Sequence, residues 1–240
     1  MKKILFIGNS FTYFNDLPAM TETLLKNAGI SCRAASVTKG GAYLHEYADR
    51  EHELNRLFEE AYGNESYDFV VLQDQSFNPA GDKADFMAAV HTLSTAVRAG
   101  GKNPCLLFYQ TWAYRYGSEK LSGTGIDYET MRLRLKAAYE EAAVRFDGRC
   151  VPVGTAFAAS CALYPDIVLY NDDAYHPTPA GTYLAALLFT NAVAGVDISA
   201  LSDAVDFFSE AAPCGVIGSF IQDKAAAHDD LFSFKHHYMT

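Results

Sequence analysis

The chain of 240 residues is long enough for one large α/β domain or two small ones, and half of its residues are hydrophobic, so a sizeable core is expected. Its formal charge of -10 argues against a surface that attracts nucleic acid. Five cysteines, an odd number without any C-x-x-C spacing, argue against a disulfide framework or a zinc site.

The first residues superficially resemble the start of a signal peptide. Lys2 and Lys3 precede an apolar run, but Asn9 and Ser10 interrupt that run before it reaches the length of a signal sequence. No later stretch approaches the roughly 20 apolar residues that cross a bilayer. We therefore expect a soluble, cytoplasmic protein without a signal peptide or a membrane partner.

Short apolar runs alternate with segments of helical periodicity along most of the chain. The runs predict strands at 3–7, 32–37, 69–73, 105–110 and 150–153, and the periodicity predicts helices at 17–28, 44–62, 85–99, 128–146 and 179–194. Thr178 is the expected N-cap of the last helix, with Pro179 in its first turn. Alternating strands and helices predict a mostly parallel five-stranded sheet in a three-layer α/β/α domain.

The pattern contains neither an internal repeat nor a linker, so we expect a single domain over residues 1–240. Residues 1–198 form its predicted core. Residues 199–240 are weakly patterned and are treated as a C-terminal extension without an assigned structure.

Two short blocks at opposite ends of the chain carry residues suited to nucleophilic catalysis. Ser10 follows the first predicted strand directly after Gly8 and Asn9, where a hydroxyl faces the carboxyl edge of a parallel sheet. Asp173 stands three residues before His176 in a predicted loop, a spacing that lets the carboxylate accept a hydrogen bond from Nδ1 of the imidazole. Each block alone is equally well an ordinary turn, but the pair supplies a serine, a histidine and an aspartate.

These two blocks resemble those of the SGNH (GDSL-like) hydrolases. Gly8 to Phe11 is similar to the first motif of that family with Asn in place of Asp, and Asp173 to His176 is similar to its C-terminal D-x-x-H motif. The likeness covers residues 7 to about 185. It implies a flavodoxin-like α/β fold and a serine hydrolase with Ser10, His176 and Asp173 as its catalytic triad and without a metal or cofactor.

The same resemblance implies an oxyanion hole with three donors. These are the backbone N–H of Ser10, a glycine N–H after the second strand and an amide side chain after the third. Gly41 of the Gly40-Gly41 pair fits the second donor. The third block departs from the family, because Gln73 and Gln75 stand where an asparagine is expected. Either glutamine can donate this bond, and the Gln-containing form is similar to acetylesterase-like branches.

The substrate is expected to be a short acyl ester, most simply an acetyl ester on a carbohydrate. Aromatic faces suit sugar rings, and aromatic side chains occur in the first loop and in the stretch 109–116. The expected substrate-binding residues are Asn9, Phe11, Gly40, Trp112 and Tyr175.

Three alternatives stay open at this stage. A phosphorylated cofactor after the first strand is disfavoured, because residues 8–15 lack a G-x-G-x-x-G or P-loop pattern. A non-catalytic carbohydrate-binding protein or an acyltransferase on the same fold is compatible with these motifs. The oligomeric state is not indicated by the sequence.

Overall fold

The computed structural model describes residues 1–195. The predicted C-terminal extension 199–240, and the boundary of the core at 198, lie outside the described residues. Within the described part, five parallel strands form one sheet in the order β2-β1-β3-β4-β5. The strands are β1 Lys2–Gly8, β2 Cys32–Thr38, β3 Phe69–Leu72, β4 Cys105–Tyr109 and β5 Arg149–Val151.

Nine α-helices accompany the sheet in residues 1–195, most of them between consecutive strands. They are α1 Ser10–Tyr13, α2 Leu17–Asn27, α3 Leu44–Ala48, α4 Glu53–Asn64, α5 Phe77–Gly81, α6 Lys83–Arg98, α7 Tyr128–Arg145, α8 Val153–Leu163 and α9 Pro179–Ala194. The predicted cap of α9 is confirmed, since the Thr178 hydroxyl accepts the Gly181 N–H at 3.2 Å.

The helices cover the sheet on both faces. Helix α2 packs against α9, while α3, α5, α6 and α7 pack against one another. Every residue of β3 is buried, as expected for a strand covered on both sides. The rings of Phe6 and Tyr109 both meet Phe189 of α9 edge to face, at centroid distances of 5.2 and 5.0 Å. The predicted three-layer α/β/α class is confirmed.

The strand order places a crevice beside β1. Strands β2 and β3 flank β1 on either side, so the connections that leave β1 and β2 run in opposite directions across the sheet. In such folds the connecting loops separate at this switch point and leave a ligand-binding crevice beyond the carboxyl ends of the strands. The loops after β1, β2 and β3 therefore meet at one place.

The predicted helix at 44–62 is wrong as a single element, because it is divided into α3 and α4. Asp49 is extended, with φ -81° and ψ 112°, and ends the first helix. His52 starts the second helix by accepting the Leu54 N–H on its Nδ1 atom. Asp49 and His52 thus cap the two helix ends at this break, and hydrophobic periodicity does not detect capping residues of this kind.

Three shorter elements were not predicted. Helices α1 and α5 are a single turn each, too short to give a periodic pattern. The last predicted strand ends at Val151, and the following apolar segment forms α8 instead. No helix among residues 1–195 combines the length and the apolar character that crossing a bilayer would require.

Candidate active site

The end of β1 presents Ser10 through a tight turn. Gly8 has no room for a side chain, because a Cβ there would lie 2.4 Å from the Gln73 Oε1 atom. Asn9 then caps α1 by accepting the Phe11 N–H on its Oδ1 atom at 3.1 Å. Ser10 is the first residue of α1 and is 8% exposed. The turn thus places its hydroxyl at the carboxyl edge of the sheet, as predicted.

The loop before α9 is a compact turn that carries Asp173 and His176. Its ends are joined by the Asn171 N–H, which donates to the His176 carbonyl at 2.9 Å. Ala174 in the middle adopts a left-handed conformation with φ 66°. The Asn15 side chain, next to α1, donates to the Pro177 carbonyl at 3.1 Å. This contact joins the segment that follows Ser10 to the turn that carries Asp173 and His176.

The structure brings Ser10, His176 and Asp173 into one hydrogen-bonded chain. The His176 Nε2 atom lies 2.8 Å from the Ser10 Oγ atom, and its Nδ1 atom lies 2.6 Å from the Asp173 Oδ2 atom. An ionised carboxylate only accepts hydrogen bonds, so Nδ1 carries the proton and Nε2 is left to accept from the hydroxyl. This is the arrangement in which an imidazole can remove a proton from a serine.

The Asp173 carboxylate is held in its ionised form. Burial raises its pKa, but the backbone N–H groups of His176 and Tyr175 and the imidazole of His176 all donate to it, and together they leave the pKa below its usual value. The described hydrogen bonds that join His176 to a carboxylate run to Asp173 and not to its neighbour Asp172, so the choice of Asp173 is consistent with the geometry.

Aromatic rings fix the orientation of the imidazole. Phe14 stacks on His176 with a centroid distance of 4.1 Å and an interplanar angle of 4°. Phe11 meets the same ring edge to face at 5.8 Å, and Tyr175 lies at 4.1 Å on a tilted plane. Such rings restrict the torsions of the histidine and exclude water from part of its surface.

Ser10 and His176 open onto a cleft of about 270 Å³. Four of the five predicted substrate-binding residues line it, as do several residues of the neighbouring loops. The lining residues are Asn9, Ser10, Phe11, Tyr13, Gly40, Gly41, Gln75, Ser76, Tyr114, Lys120, Tyr175 and His176. Tyr114 and Lys120 were not singled out from the sequence, although Tyr114 belongs to the aromatic stretch 109–116.

Trp112 is a correction to the predicted substrate-binding set. It is 1% exposed, and its indole stacks between Phe11 and Phe157 at centroid distances of 4.6 and 4.0 Å. Its Nε1–H donates to the Tyr175 carbonyl at 2.8 Å. Trp112 therefore supports two lining residues from behind, and Tyr109 is likewise fully buried.

Gly41 and Gln75 face the cleft from the loops after β2 and β3. Gly41 has φ +73°, a backbone conformation that glycine adopts without strain, and a Cβ there would meet open space. The Gln75 Nε2 atom donates one hydrogen bond to the Tyr114 hydroxyl at 2.9 Å. An amide nitrogen carries two hydrogens, so Gln75 can donate a second bond into the cleft.

Gln73 is a correction to the predicted oxyanion donors. Its side chain is fully buried, and its Nε2 atom donates to the Asn9 Oδ1 atom and to the Asp74 carbonyl. Its Oε1 atom accepts from the Asn9 N–H and the Thr12 hydroxyl, both at 2.9 Å. Both amide hydrogens are used inside the protein, so Gln73 braces the Ser10 turn and has no donor for a substrate.

A buried carboxylate that sequence reasoning missed joins the loops after β2 and β3. Asp74 is fully buried, and its Oδ1 atom accepts the N–H groups of Leu44 and Gln75 at 2.8 and 2.7 Å. Its Oδ2 atom accepts from the Asn78 side chain at 2.8 Å. Burial raises the pKa of Asp74 to about 6, although these three donors lower it in part. Asp74 therefore fixes Gln75 relative to the segment that follows Gly41.

Residues 1–195 contain no group of three histidine, cysteine, aspartate or glutamate side chains arranged to hold a metal ion. His45, Asp85 and Asn78 form a hydrogen-bonded cluster beside Asp74, in which Asp85 accepts from both His45 and Asn78. The cluster is a polar support for the loop after β3.

A 2-1-3-4-5 parallel sheet with a serine, a histidine and an aspartate in hydrogen-bond contact at its carboxyl edge defines the class of flavodoxin-like serine hydrolases. No protein-family model and no curated protein matches the sequence. Among solved structures, the chain is similar to a protein from Slackia heliotrinireducens that is assigned as an SGNH hydrolase. It is 34% identical over 80% of this chain and 98% of its own, with a TM-score of 0.70. This chain belongs to the SGNH hydrolase family and is an enzyme of that class.

Two further structures share the fold at lower identity. A DUF4886 family protein from Bacteroides uniformis has a TM-score of 0.76 and 20% identity over 95% of this chain and 96% of its own. An acetylxylan esterase from Geobacillus stearothermophilus has a TM-score of 0.61 and 16% identity over 82% of this chain and 95% of its own. At these identities the likeness establishes the shared architecture.

Proposed function

We propose that this protein is a serine esterase that removes short acyl groups, most simply acetyl, from carbohydrate esters. The observation that carries the proposal is the 2.8 Å contact between the Ser10 Oγ atom and the His176 Nε2 atom, two residues that line the same cleft. A hydroxyl in this position can transfer its proton to the imidazole as it attacks a carbonyl carbon.

In the first half of the reaction Ser10 is the nucleophile and His176 the general base. The Oγ–C bond forms as the Oγ proton moves to Nε2, and Asp173 stabilises the resulting imidazolium through its contact with Nδ1. The imidazolium then donates this proton to the oxygen of the leaving alcohol as the ester C–O bond breaks. The product at this stage is an acylated Ser10.

The negative charge on the carbonyl oxygen is the feature that the neighbouring loops must stabilise. Ser10 is the first residue of α1. The first N–H groups of a helix have no carbonyl acceptor inside the helix, so the Ser10 N–H is one of the proposed donors. The Gly41 N–H and the second Nε2 hydrogen of Gln75 are the other two donors in this proposal. Preorganised donors of this kind each contribute about 10²-fold or more to the rate.

Water completes the cycle by the same route. His176 removes a proton from the water as its oxygen attacks the acyl carbon, and the Ser10 oxygen then leaves with the proton that His176 returns. The products are a carboxylic acid and a free Ser10. No cofactor takes part in the proposed reaction.

The shape of the cleft supports a small acyl group. Its volume of about 270 Å³ is at the low end for ligand sites, and it is bounded by Phe11, Tyr114 and Tyr175. Aromatic rings beside polar groups suit the faces of sugars. The shared fold with an acetylxylan esterase is consistent with this substrate class.

The proposal is tested by the hydrolysis of p-nitrophenyl acetate, butyrate and octanoate by the parent, Ser10→Ala and His176→Ala. We expect the parent to prefer acetate, and both variants to lose about 10³-fold or more in kcat. The exposed residues Ser122 and His91 offer matched controls, since Ser122→Ala and His91→Ala should retain the parental rate. Parental rates in both Ser10→Ala and His176→Ala would reject the proposed triad.

A further inference from the structure

One charged side chain at the cleft has no role in the chemistry proposed above. Lys120 lies on a short 3-10 helix, Glu119–Leu121, and its Nζ atom sits 4.1 Å from the centroid of the Tyr175 ring. The side chain is exposed and lines the cleft together with Tyr175 and His176. A cation over an aromatic face is attracted by the electron density of the ring, so Tyr175 holds the ammonium at the cleft.

The charge of Lys120 is available to a ligand. Three other described lysines are paired with carboxylates, namely Lys3 with Glu65, Lys83 with Glu141 and Lys136 with Glu140. In residues 1–195 no carboxylate lies within ion-pair distance of the Lys120 Nζ atom. The described residues that line the cleft include no aspartate or glutamate.

This local charge opposes the charge of the whole protein. A formal charge of -10 repels an anionic molecule at long range, and a cation at the cleft opposes this repulsion close to where a substrate docks. A neutral sugar ester gains nothing from that attraction. A substrate that bears its own anion gains a partner of opposite charge within the cleft.

The position of Lys120 indicates which part of the substrate it meets. His176 must return its proton to the oxygen of the leaving alcohol, so the alcohol lies on the imidazole side of the ester. Tyr175 lies beside that imidazole, and Lys120 lies over Tyr175. Lys120 and His176 thus contact or adjoin the same ring and line the same cleft, so the ammonium lies on the side of the cleft where the leaving alcohol is expected.

We propose that the alcohol portion of the substrate carries a carboxylate, as in an acetylated uronic acid, and that Lys120 binds it. This inference rests on the proposed esterase function and names the substrate class of the same site. Its selectivity is electrostatic. Because Lys120 is exposed, solvent and salt weaken its attraction, and exposed ion pairs correspond to an effect of about 5-fold at most.

The test compares two esters that differ only in the anion. These are a mono-O-acetylated methyl galacturonoside and the methyl galactoside acetylated at the same position. The quantity measured is the ratio of kcat/KM for the uronate to kcat/KM for the neutral sugar, at low salt and with about 0.5 M NaCl, where the Debye length is only a few ångströms.

We expect the parent to favour the uronate by about 3- to 5-fold at low salt and to lose most of this preference at high salt. Lys120→Gln should bring the ratio close to that of high salt, Lys120→Glu should favour the neutral sugar, and Lys120→Arg should keep the parental ratio. The exposed Lys26 provides the control, because Lys26→Gln changes the net charge equally but lies on α2 and should keep the parental ratio.

The outcomes separate this inference from the proposed function. A parental ratio that is unchanged in Lys120→Gln, or hydrolysis of p-nitrophenyl acetate through Ser10 with neither sugar ester cleaved, overturns the role of Lys120 and leaves the esterase proposal standing. Ester hydrolysis that is unaffected by Ser10→Ala overturns the esterase proposal, and the substrate inference falls with it.

Discussion

Asp173 holds His176 at two points at once. Its Oδ1 atom accepts the backbone N–H of His176 at 2.9 Å, and its Oδ2 atom lies 2.6 Å from Nδ1 of the same residue. A single carboxylate therefore sets both the backbone position and the ring orientation of the histidine. The imidazole is directed at Ser10 by local contacts within a four-residue turn, and the segment after α1 is joined to the residue after that turn by the Asn15 side chain, which donates to the Pro177 carbonyl.

Replacing Asp173 by Asn should test this double contact. An amide NH₂ group in place of the Asp173 Oδ2 atom donates to Nδ1 of His176. This favours the His176 tautomer with the proton on Nε2 and removes the acceptor that the Ser10 hydroxyl needs. We expect kcat for p-nitrophenyl acetate to fall by about 10³- to 10⁴-fold, as such substitutions do in serine hydrolases. Asp172→Asn is the matched control, since Asp172 is exposed, and it should stay within about 2-fold of the parent. Equal losses in both variants would contradict the assignment of Asp173.

Gln75 and Gln73 should respond differently to truncation. We expect Gln75→Ala to lower kcat by about 10²-fold, because it removes the proposed oxyanion donor. Its loss of stability should be the smaller of the two, because Gln75 is half-buried and has fewer internal hydrogen bonds than Gln73. Gln73→Ala should instead lower the free energy of unfolding by about 2 kcal/mol or more, because it leaves the buried Asn9 and Thr12 groups without partners. Kinetics at saturating ester and thermal unfolding of both variants make the comparison. The reverse pattern would show that Gln73 is the donor.

Gly41→Ala should affect catalysis beyond its cost in stability. Gly41 and Gly125 share a positive φ, +73° and +71°, and a Cβ added at either glycine would meet no atom within 4 Å. An added methyl at either site therefore costs about 1 kcal/mol in backbone strain. Relief of that strain at Gly41 would move the proposed N–H donor, so we expect about a 10-fold or larger loss of kcat there. Gly125→Ala should lose the same stability and keep its activity.

The buried Asp74 carboxylate should give the protein a measurable pH dependence of stability. Its pKa is raised to about 6 from 3.8, so between these values the folded protein keeps a proton that the unfolded chain releases. The contribution to stability is complete at low pH and is lost as the pH rises through about 6. One pKa unit corresponds to about 1.4 kcal/mol, so the loss from this group is about 3 kcal/mol.

Urea unfolding of the parent and of Asp74→Asn at pH 4, 5, 6 and 7 measures this effect. Asp74→Asn should be less stable at each pH, because its amide faces the Asn78 amide, but its free energy of unfolding should fall less between pH 4 and 7. His45, Asp85 and Tyr139 lie around Asp74; Tyr139 keeps its proton throughout this range, because burial raises its pKa. The difference between the two proteins therefore reports Asp74 together with its charge coupling to His45 and Asp85. Asp166→Asn, at an exposed position, should keep the parental slope. Equal slopes in parent and Asp74→Asn would contradict the raised pKa.

The sequence by itself determined the fold class and the blocks that carry the proposed triad. Uniformly apolar strands, helical periodicity and capping residues such as Thr178 are local features, and each limits the backbone nearby. Parallel strands bring their carboxyl ends to one edge, so Ser10 was expected there. The Asp173 turn follows α8 rather than a strand of the sheet, and its position beside Ser10 was expected from the family resemblance. The division of 44–62 into two helices escaped this reasoning, because charged capping residues rather than periodicity mark the break.

Only the tertiary structure decided the direction of side chains beyond the strand ends. Gln73 and Gln75 are two residues apart in the same block, yet the first braces Asn9 and the second faces the cleft. Trp112 packs beneath Phe11 while Lys120 reaches Tyr175 from a later turn. In irregular segments a side chain points where the torsions of its own loop and the packing of distant loops allow, and no period in the sequence records either of them.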